Sequence, residues 1–462
     1  MYLSYLLVIA AASLACAKQL PSNVLPLRRR TPSQANHSSS PIPVTAASYG
    51  TRFDVEVQFG NQTFLLLLDT GSSDTWVLQT GWQCINATDN SILPQTTCAY
   101  GNKTYDITST FEQIPNDRLG VQYGIGVATG MMGYEDVTLG GITVRHQEVG
   151  IANRVTAPGD GIDNGLLGLG YPILTSAHLD TDTSNTSLLF NRITYRSLFT
   201  SMWQQGLVDP YYSMAIDRAS AGSVSGPGGY LALGSLPPVA HSPNFATAPV
   251  EVTEALPLNL TSDSTINGTR QITEWTLTVG AIAYGTATNS TPFQAVVDSG
   301  QPLNIIPPEM AAQVNAAFSP PAVFDPESGV YGVTCNATPP AFGVQIGNQT
   351  FFHNPVDMIL PVSDGVCMSS VLPTTCVQGI CFSFLGDTFL RNVVAVFDFG
   401  KNEMRFAARE EHGASNSSSP TSAGLTPSAS SSLKPSTGAG VKNGVLVINV
   451  VALDLGVACL VL

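Results

Sequence analysis

Two stretches of this chain are equipped for acid–base chemistry, and an aspartate closes the apolar run of each. The first is Phe64-Leu65-Leu66-Leu67-Leu68-Asp69-Thr70-Gly71-Ser72-Ser73. Five apolar residues ending in an acid and then a glycine read as a buried strand that leaves the core at its acid. Thr70 and Ser72 offer hydroxyls to that carboxylate, and Gly71 permits a tight backbone turn. Alone, Asp-Thr-Gly arises by chance in on the order of one chain in ten of this length. The second stretch, Gln294-Ala295-Val296-Val297-Asp298-Ser299-Gly300, repeats the layout. Each is followed at a distance by an apolar segment with glycine, Gly165-Leu166-Leu167-Gly168-Leu169-Gly170 and Phe382-Ser383-Phe384-Leu385-Gly386-Asp387. Two similar halves, each with one strand-end carboxyl, imply a duplicated fold whose acids meet across a pseudo-two-fold axis. Carboxyls in contact share a proton, so one acts as base and the other as acid.

The elements that must position such a pair are short strands. Gly (42 residues), Pro (31) and Ser/Thr-rich stretches suit many strands joined by turns. Phe53, Val55 and Val57 alternate with Asp54 and Glu56, a half-buried strand leading into the first aspartate. Trp275-Thr276-Leu277-Thr278-Val279 opens the second half, and Glu309 to Phe318 is one of few predicted helices. Charged residues make up only 11%, against about 25% in an average globular chain. The net charge of −14 argues against nucleic-acid partners. Few bases also leave little positive self-repulsion once carboxyls are protonated, which suits acidic surroundings.

At these residues the chain resembles the pepsin-like aspartic proteases, and within them the fungal-type, GPI-anchored, yapsin-like members. The resemblance runs over about residues 49–408. The family pattern, Asp-Thr/Ser-Gly-Thr/Ser, is matched in full by Asp69-Thr70-Gly71-Ser72. Asp298-Ser299-Gly300 matches and then departs: Gln301 and Pro302 stand where a hydroxyl residue is usual. Trp76 follows Asp69 by seven residues, as in the family. Tyr123-Gly124-Ile125-Gly126 with Thr129-Gly130 resembles the flap hairpin, and Phe384 to Arg391 with Val396-Phe397-Asp398 resembles the C-terminal signature. The resemblance implies an all-β, bilobed pepsin-like fold, with two similar β-rich lobes (47–235 and 249–408, connected by 236–248) and the cleft between them. It implies a monomeric aspartic endopeptidase that hydrolyses peptide or protein substrates at acidic pH without a cofactor. Asp69 and Asp298 are its implied catalytic pair. Tyr123, Trp76, Ser72, Gly71 and Gly300 are implied to support the flap and the dyad. Gln301 retains a side-chain amide that can donate to Asp298, on a longer arm than a hydroxyl.

The chain ends read as targeting segments. Residues 2–16 are apolar and Ala15-Cys16-Ala17 fits a signal-peptidase site, giving a signal peptide over 1–17. Arg28-Arg29-Arg30 suggests processing of a short propeptide, 18–30, followed by a flexible leader, 31–46. Residues 409–440 are rich in Ser, Thr, Ala, Gly and Pro and read as a stalk. Small residues 436–440, a short spacer and an apolar tail match a GPI signal, so 441–462 is expected to be removed. These segments predict a secreted glycoprotein anchored at the cell surface, on the plasma membrane or in the cell wall.

Six cysteines remain outside the cleaved segments, and spacing alone leaves fifteen connectivities. The family resemblance implies Cys84–Cys98 and Cys335–Cys367, leaving Cys376–Cys381. Asn61, Asn86, Asn102, Asn185, Asn259, Asn267 and Asn348 are candidate glycosylation sites. Cysteine spacing does not suit a zinc finger, and no His-Glu-x-x-His motif is present, so no metal is expected. No Gly-x-Ser-x-Gly elbow points to a serine hydrolase. The Gln301-Pro302 departure supports one alternative, a protein of the same fold that has lost catalysis and binds a ligand at the cell surface.

Overall fold

The structure, a computed structural model, describes residues 40–410 except 48–49, 125, 157–158, 180–187, 189–191, 219–224, 257–264, 267–268, 364 and 378–379. The expected signal peptide, propeptide and tail, nearly all of the stalk, and Asn185, Asn259 and Asn267 lie outside the described residues.

The run before Asp69 forms the strand Gln62–Asp69, with Leu66, Leu67 and Leu68 fully or almost fully buried. A continuous apolar run of this kind suits a strand covered on both faces. The strand pairs antiparallel with Arg52–Phe59 and parallel with Gly165–Gly168, where Asp69 stands opposite Gly168. Gly165–Leu167 in turn pairs antiparallel with Thr75–Val77. The second half repeats this weave. Phe293–Val297 pairs parallel with Phe384–Leu385, Val297 opposite Leu385, and Phe384 pairs antiparallel with Ile305. Thr276–Val279 lies antiparallel along the other edge of Phe293–Val297. The paired apolar-glycine segments found in the sequence are therefore the neighbours that fix each aspartate strand.

A fifteen-stranded sheet runs from the hairpin Glu112–Gln122/Val127–Leu139, through the Asp69 strand, to the C-terminal strands Val393–Asp398 and Glu403–Ala408. The last strands of the second half thus pair with strands of the first, Tyr212 opposite Phe397. Beneath this seam Tyr212, Trp275, Phe397 and Phe399 pack ring to ring with centroids 4.7–6.3 Å apart. Each buried ring of this kind contributes about 1.5–3 kcal/mol. The all-β, two-lobed architecture expected from the sequence is the one observed. The expected helix is Pro308–Ala316.

Two boundaries differ from expectation. Residues 31–46 read as a flexible leader, but Ile42–Ala47 is a strand between Gly226–Leu231 and Arg52–Val55. Ile42, Val44 and Ala46 alternate inward and are buried, a short period-2 pattern masked by flanking Ser and Pro. The interlobe stretch 236–248 also enters the sheet, because Ala246–Pro249 pairs with Glu403–Phe406. Disulfides join Cys84 to Cys98, Cys335 to Cys367 and Cys376 to Cys381. Asn61, Asn102 and Asn348 are exposed and Asn86 half-buried. Among the described residues no helix is long and apolar enough to cross a membrane.

Candidate active site

The two aspartate strands end face to face, and the residues after each aspartate tie the halves together. Thr70 Oγ1 donates to the Val297 carbonyl at 2.8 Å and accepts from the Ser299 N–H at 3.0 Å. Ser299 Oγ donates to the Leu68 carbonyl at 2.8 Å and accepts from the Thr70 N–H at 3.2 Å. This reciprocal joint corrects the expectation for Thr70. Its hydroxyl does not reach Asp69 but crosses to the other half, because its position faces the partner strand rather than its own carboxylate.

Asp69 keeps two donors. The Gly71 N–H donates to Oδ1 at 2.9 Å and Ser72 Oγ donates to Oδ2. Asp298 Oδ1 accepts from the Gly300 N–H at 2.8 Å, whereas Oδ2 meets no donor among the described residues. The two carboxyls lie within hydrogen-bonding reach of each other. A Cβ on Gly71 would stand 2.5 Å from the Asp298 carboxyl, so no larger residue fits there.

Gln301 behaves differently from expectation. Its Nε2 has no partner among the described residues, its Oε1 accepts from the Leu303 N–H at 3.3 Å, and its side chain is fully buried. The amide is turned along its own chain, so Asp298 lacks the side-chain donor that Ser72 gives Asp69. Both aspartates are fully buried, and burial raises both pKa values. Asp298 is pushed up to about 6. Asp69 is raised well above the usual carboxylate range by burial and by the charge of Asp298, with Ser72 and Gly71 pulling the other way. The arrangement favours one proton on the pair.

The hairpin places Tyr123 beside Trp76, whose Nε1–H donates to the Tyr123 hydroxyl at 2.7 Å. Both side chains are buried in an apolar cluster with Leu67 and Leu166, adjoining the Asp69 strand. Trp76 lies on Thr75–Ile85 and Tyr123 follows Glu112–Gln122, so two elements fix one bond.

Several polar residues at this centre were not anticipated. Asp74 accepts from the Tyr195 hydroxyl at 2.6 Å and the Ser176 N–H at 2.8 Å. Asn304 bridges the His353 Nε2 (2.9 Å) and the Gly386 N–H (3.3 Å). Glu274 is fully buried, with neither carboxyl oxygen partnered among the described residues. A lone acid directly before Trp275 was the available sign of Glu274. Asp74, three residues into the polar run after Gly71, carried none. Among the described residues no His, Cys, Asp and Glu cluster has the makings of a metal site.

A two-lobed β fold with a carboxyl pair at the lobe junction and a hairpin beside it defines the aspartic-peptidase class. The chain belongs to the eukaryotic aspartyl protease family, whose model matches residues 52–409. It is 40% identical over 376 residues to a probable aspartic-type endopeptidase of Aspergillus fumigatus, covering 78% of this chain and 79% of that protein. Gastricsin of Homo sapiens is 28% identical over 370 residues, covering 76% and 80%. The crystal structure of an aspartic proteinase from Irpex lacteus superposes with a TM-score of 0.61 at 23% identity, covering 81% of this chain and 99% of that one, and shows the shared fold. The protein is an aspartic-type endopeptidase.

Proposed function

We propose that Asp69 and Asp298 are the catalytic pair and hydrolyse peptide bonds at acidic pH through one activated water. The observation that carries this reading is the contact between two fully buried carboxyls, with Asp298 Oδ2 lacking a donor among the described residues. A single shared proton satisfies that contact. The ionised member of the pair takes a proton from the water as it attacks the scissile carbonyl. The protonated member donates to the carbonyl oxygen, giving a gem-diol; the proton taken from water then passes to the departing nitrogen as the C–N bond breaks, and a diol O–H returns its proton to the other carboxylate. No bond to the protein forms. Gly71, Ser72 and Gly300 hold the carboxylate oxygens in place, and Tyr123, fixed by Trp76, closes over the substrate. A pH–rate profile on an unbiased peptide pool tests this: activity should peak in acid and fall as the pair loses its last proton. An alkaline maximum would reject it.

We further propose that the enzyme acts outside the cell, held at the surface by a lipid anchor. The support is the Ala15-Cys16-Ala17 site, the three disulfides, and the small residues 436–440 before an apolar tail. Release by a phosphatidylinositol-specific phospholipase, with residues after about 440 absent by mass spectrometry, is the expected result. A mature chain ending at Leu462 would reject the anchor.

A further inference from the structure

We propose that Glu274 is a specificity-determining residue, and that it selects peptides carrying a carboxamide side chain, glutamine or asparagine, beside the scissile bond. The inference rests on the proteolytic reading of the dyad above.

Register brings Glu274 to the site. Thr276 stands opposite Val296, and the Val297 N–H donates to the Trp275 carbonyl at 2.9 Å, which continues the pairing one step. Glu274, in a bend just before its strand, and Asp298, just past the end of the partner strand, are the next residues beyond that pair, and the charge of Asp298 acts on Glu274. Trp275 itself packs into the aromatic seam and donates its Nε1–H to the Leu169 carbonyl at 3.1 Å. Farther along the same two strands, Thr276, Thr278, Phe293, Gln294, Ala295 and Val296 line a cavity of about 570 Å³. The strand pair that walls this cavity thus leads at its other end to Glu274 and Asp298.

Among the described residues both Glu274 oxygens lack hydrogen-bond partners, although the side chain is wholly buried. A buried polar group without a partner is costly and rarely retained without a use. The same complete burial holds for Asp69 and Asp298, which substrate must reach. Glu274 is thus a polar group waiting for a ligand rather than part of an internal network.

The charged groups facing it decide what that ligand is. Asp298 and Asp69 raise its pKa, on top of burial, and Arg192 opposes them. In the acid range where the dyad works, Glu274 is therefore a neutral carboxyl, offering one O–H donor and one carbonyl acceptor. A primary carboxamide presents the complementary acceptor and donor, and the two close a paired hydrogen-bonded ring. A lysine or arginine side chain would instead meet a neutral acid within the field of the Arg192 cation.

The test uses peptides identical except at the two residues flanking the scissile bond, carrying Gln, Met or Lys there, with the cleaved bond identified by product mass. Wild type should show kcat/KM for Gln over Met of about tenfold or more, since an unmet buried polar group is restored only by Gln. E274M should bring the ratio to near one. E274Q, which keeps a donor and an acceptor, should keep the preference. In wild type the preference should weaken as pH rises and the carboxyl loses its donor, while in E274Q it stays flat. Equal cleavage of the Gln and Met peptides by wild type, a preference for Lys, or a Gln preference that survives in E274M would each overturn the assignment. If wild type cuts none of the peptides at acidic pH, the proteolytic reading itself fails instead.

Discussion

Thr70→Val probes the joint between the halves with little change in volume. The substitution swaps the hydroxyl for a methyl at a fully buried site. It removes the bond to the Val297 carbonyl (2.8 Å) and the bond from the Ser299 N–H (3.0 Å). Each buried group left without a partner costs about 1–3 kcal/mol, so with two such groups the variant should lose about 2–6 kcal/mol. Thr70→Ser keeps the hydroxyl and should lose under about 1.5 kcal/mol. Urea unfolding at pH 4, followed by tryptophan fluorescence, reads the difference as a fall in midpoint at unchanged slope. Activity should fall with it, because Thr70 and Ser299 adjoin Asp69 and Asp298. A displacement of about 1 Å between the carboxyls is worth roughly a hundredfold in rate. A double-mutant cycle with Ser299→Ala should be non-additive, since both hydroxyls serve one joint. If Thr70→Val unfolds with wild type and retains full kcat/KM, the joint does not position the dyad.

Gln301→Thr returns a hydroxyl next to Asp298, whose charged form now lacks a side-chain donor; the dyad pKa should fall, and the pH–activity profile of kcat/KM should move toward acid, by about one unit if the bond forms well. An unshifted profile would show that Pro302 keeps the side chain at position 301 away from Asp298. Stability should decline as pH rises from about 4 to 7. Burial holds Asp54, Asp163, Glu274 and Asp387 protonated in the folded chain well above the usual carboxylate range, so between the unfolded and folded pKa values the native state binds more protons. Melting temperatures across that window should therefore fall, and Asp54→Asn should flatten the slope. A rise in melting temperature toward pH 7 would contradict the protonation assigned to these groups.

The fold was legible where apolar runs and acids coincide. Leu65–Asp69 and Ala295–Asp298 announced two buried strands, and the glycine-closed segments at 165–170 and 382–387 announced their neighbours. Strand pairings at long separation were less legible. Ile42–Ala47 looks like leader sequence until Gly226–Leu231 and Arg52–Val55 are placed beside it. The same limit governed the site. Ser72 follows Asp69 closely enough for its local bond to be read from spacing. Thr70 sits nearer still, yet its hydroxyl goes to Val297, 227 residues away. Gln301 offered the right chemistry, but its amide is turned toward Leu303 instead of Asp298. Glu274 acquires meaning only from antiparallel register with the second aspartate strand. Local chemistry was thus readable from residue types, while the direction each polar side chain takes was set by tertiary pairing.

The most direct measurement of the central claim compares Asp69→Asn, Asp298→Asn and wild type on one peptide at acidic pH, with binding of a hydroxyl-bearing transition-state mimic measured in parallel. The shared-proton account requires that hydrolysis fall by at least about a thousandfold in each single variant, with melting temperature retained. Wild type should bind the mimic, and each variant should bind it more weakly. Turnover near the wild-type rate in either variant, in protein freed of contaminating protease, would contradict it.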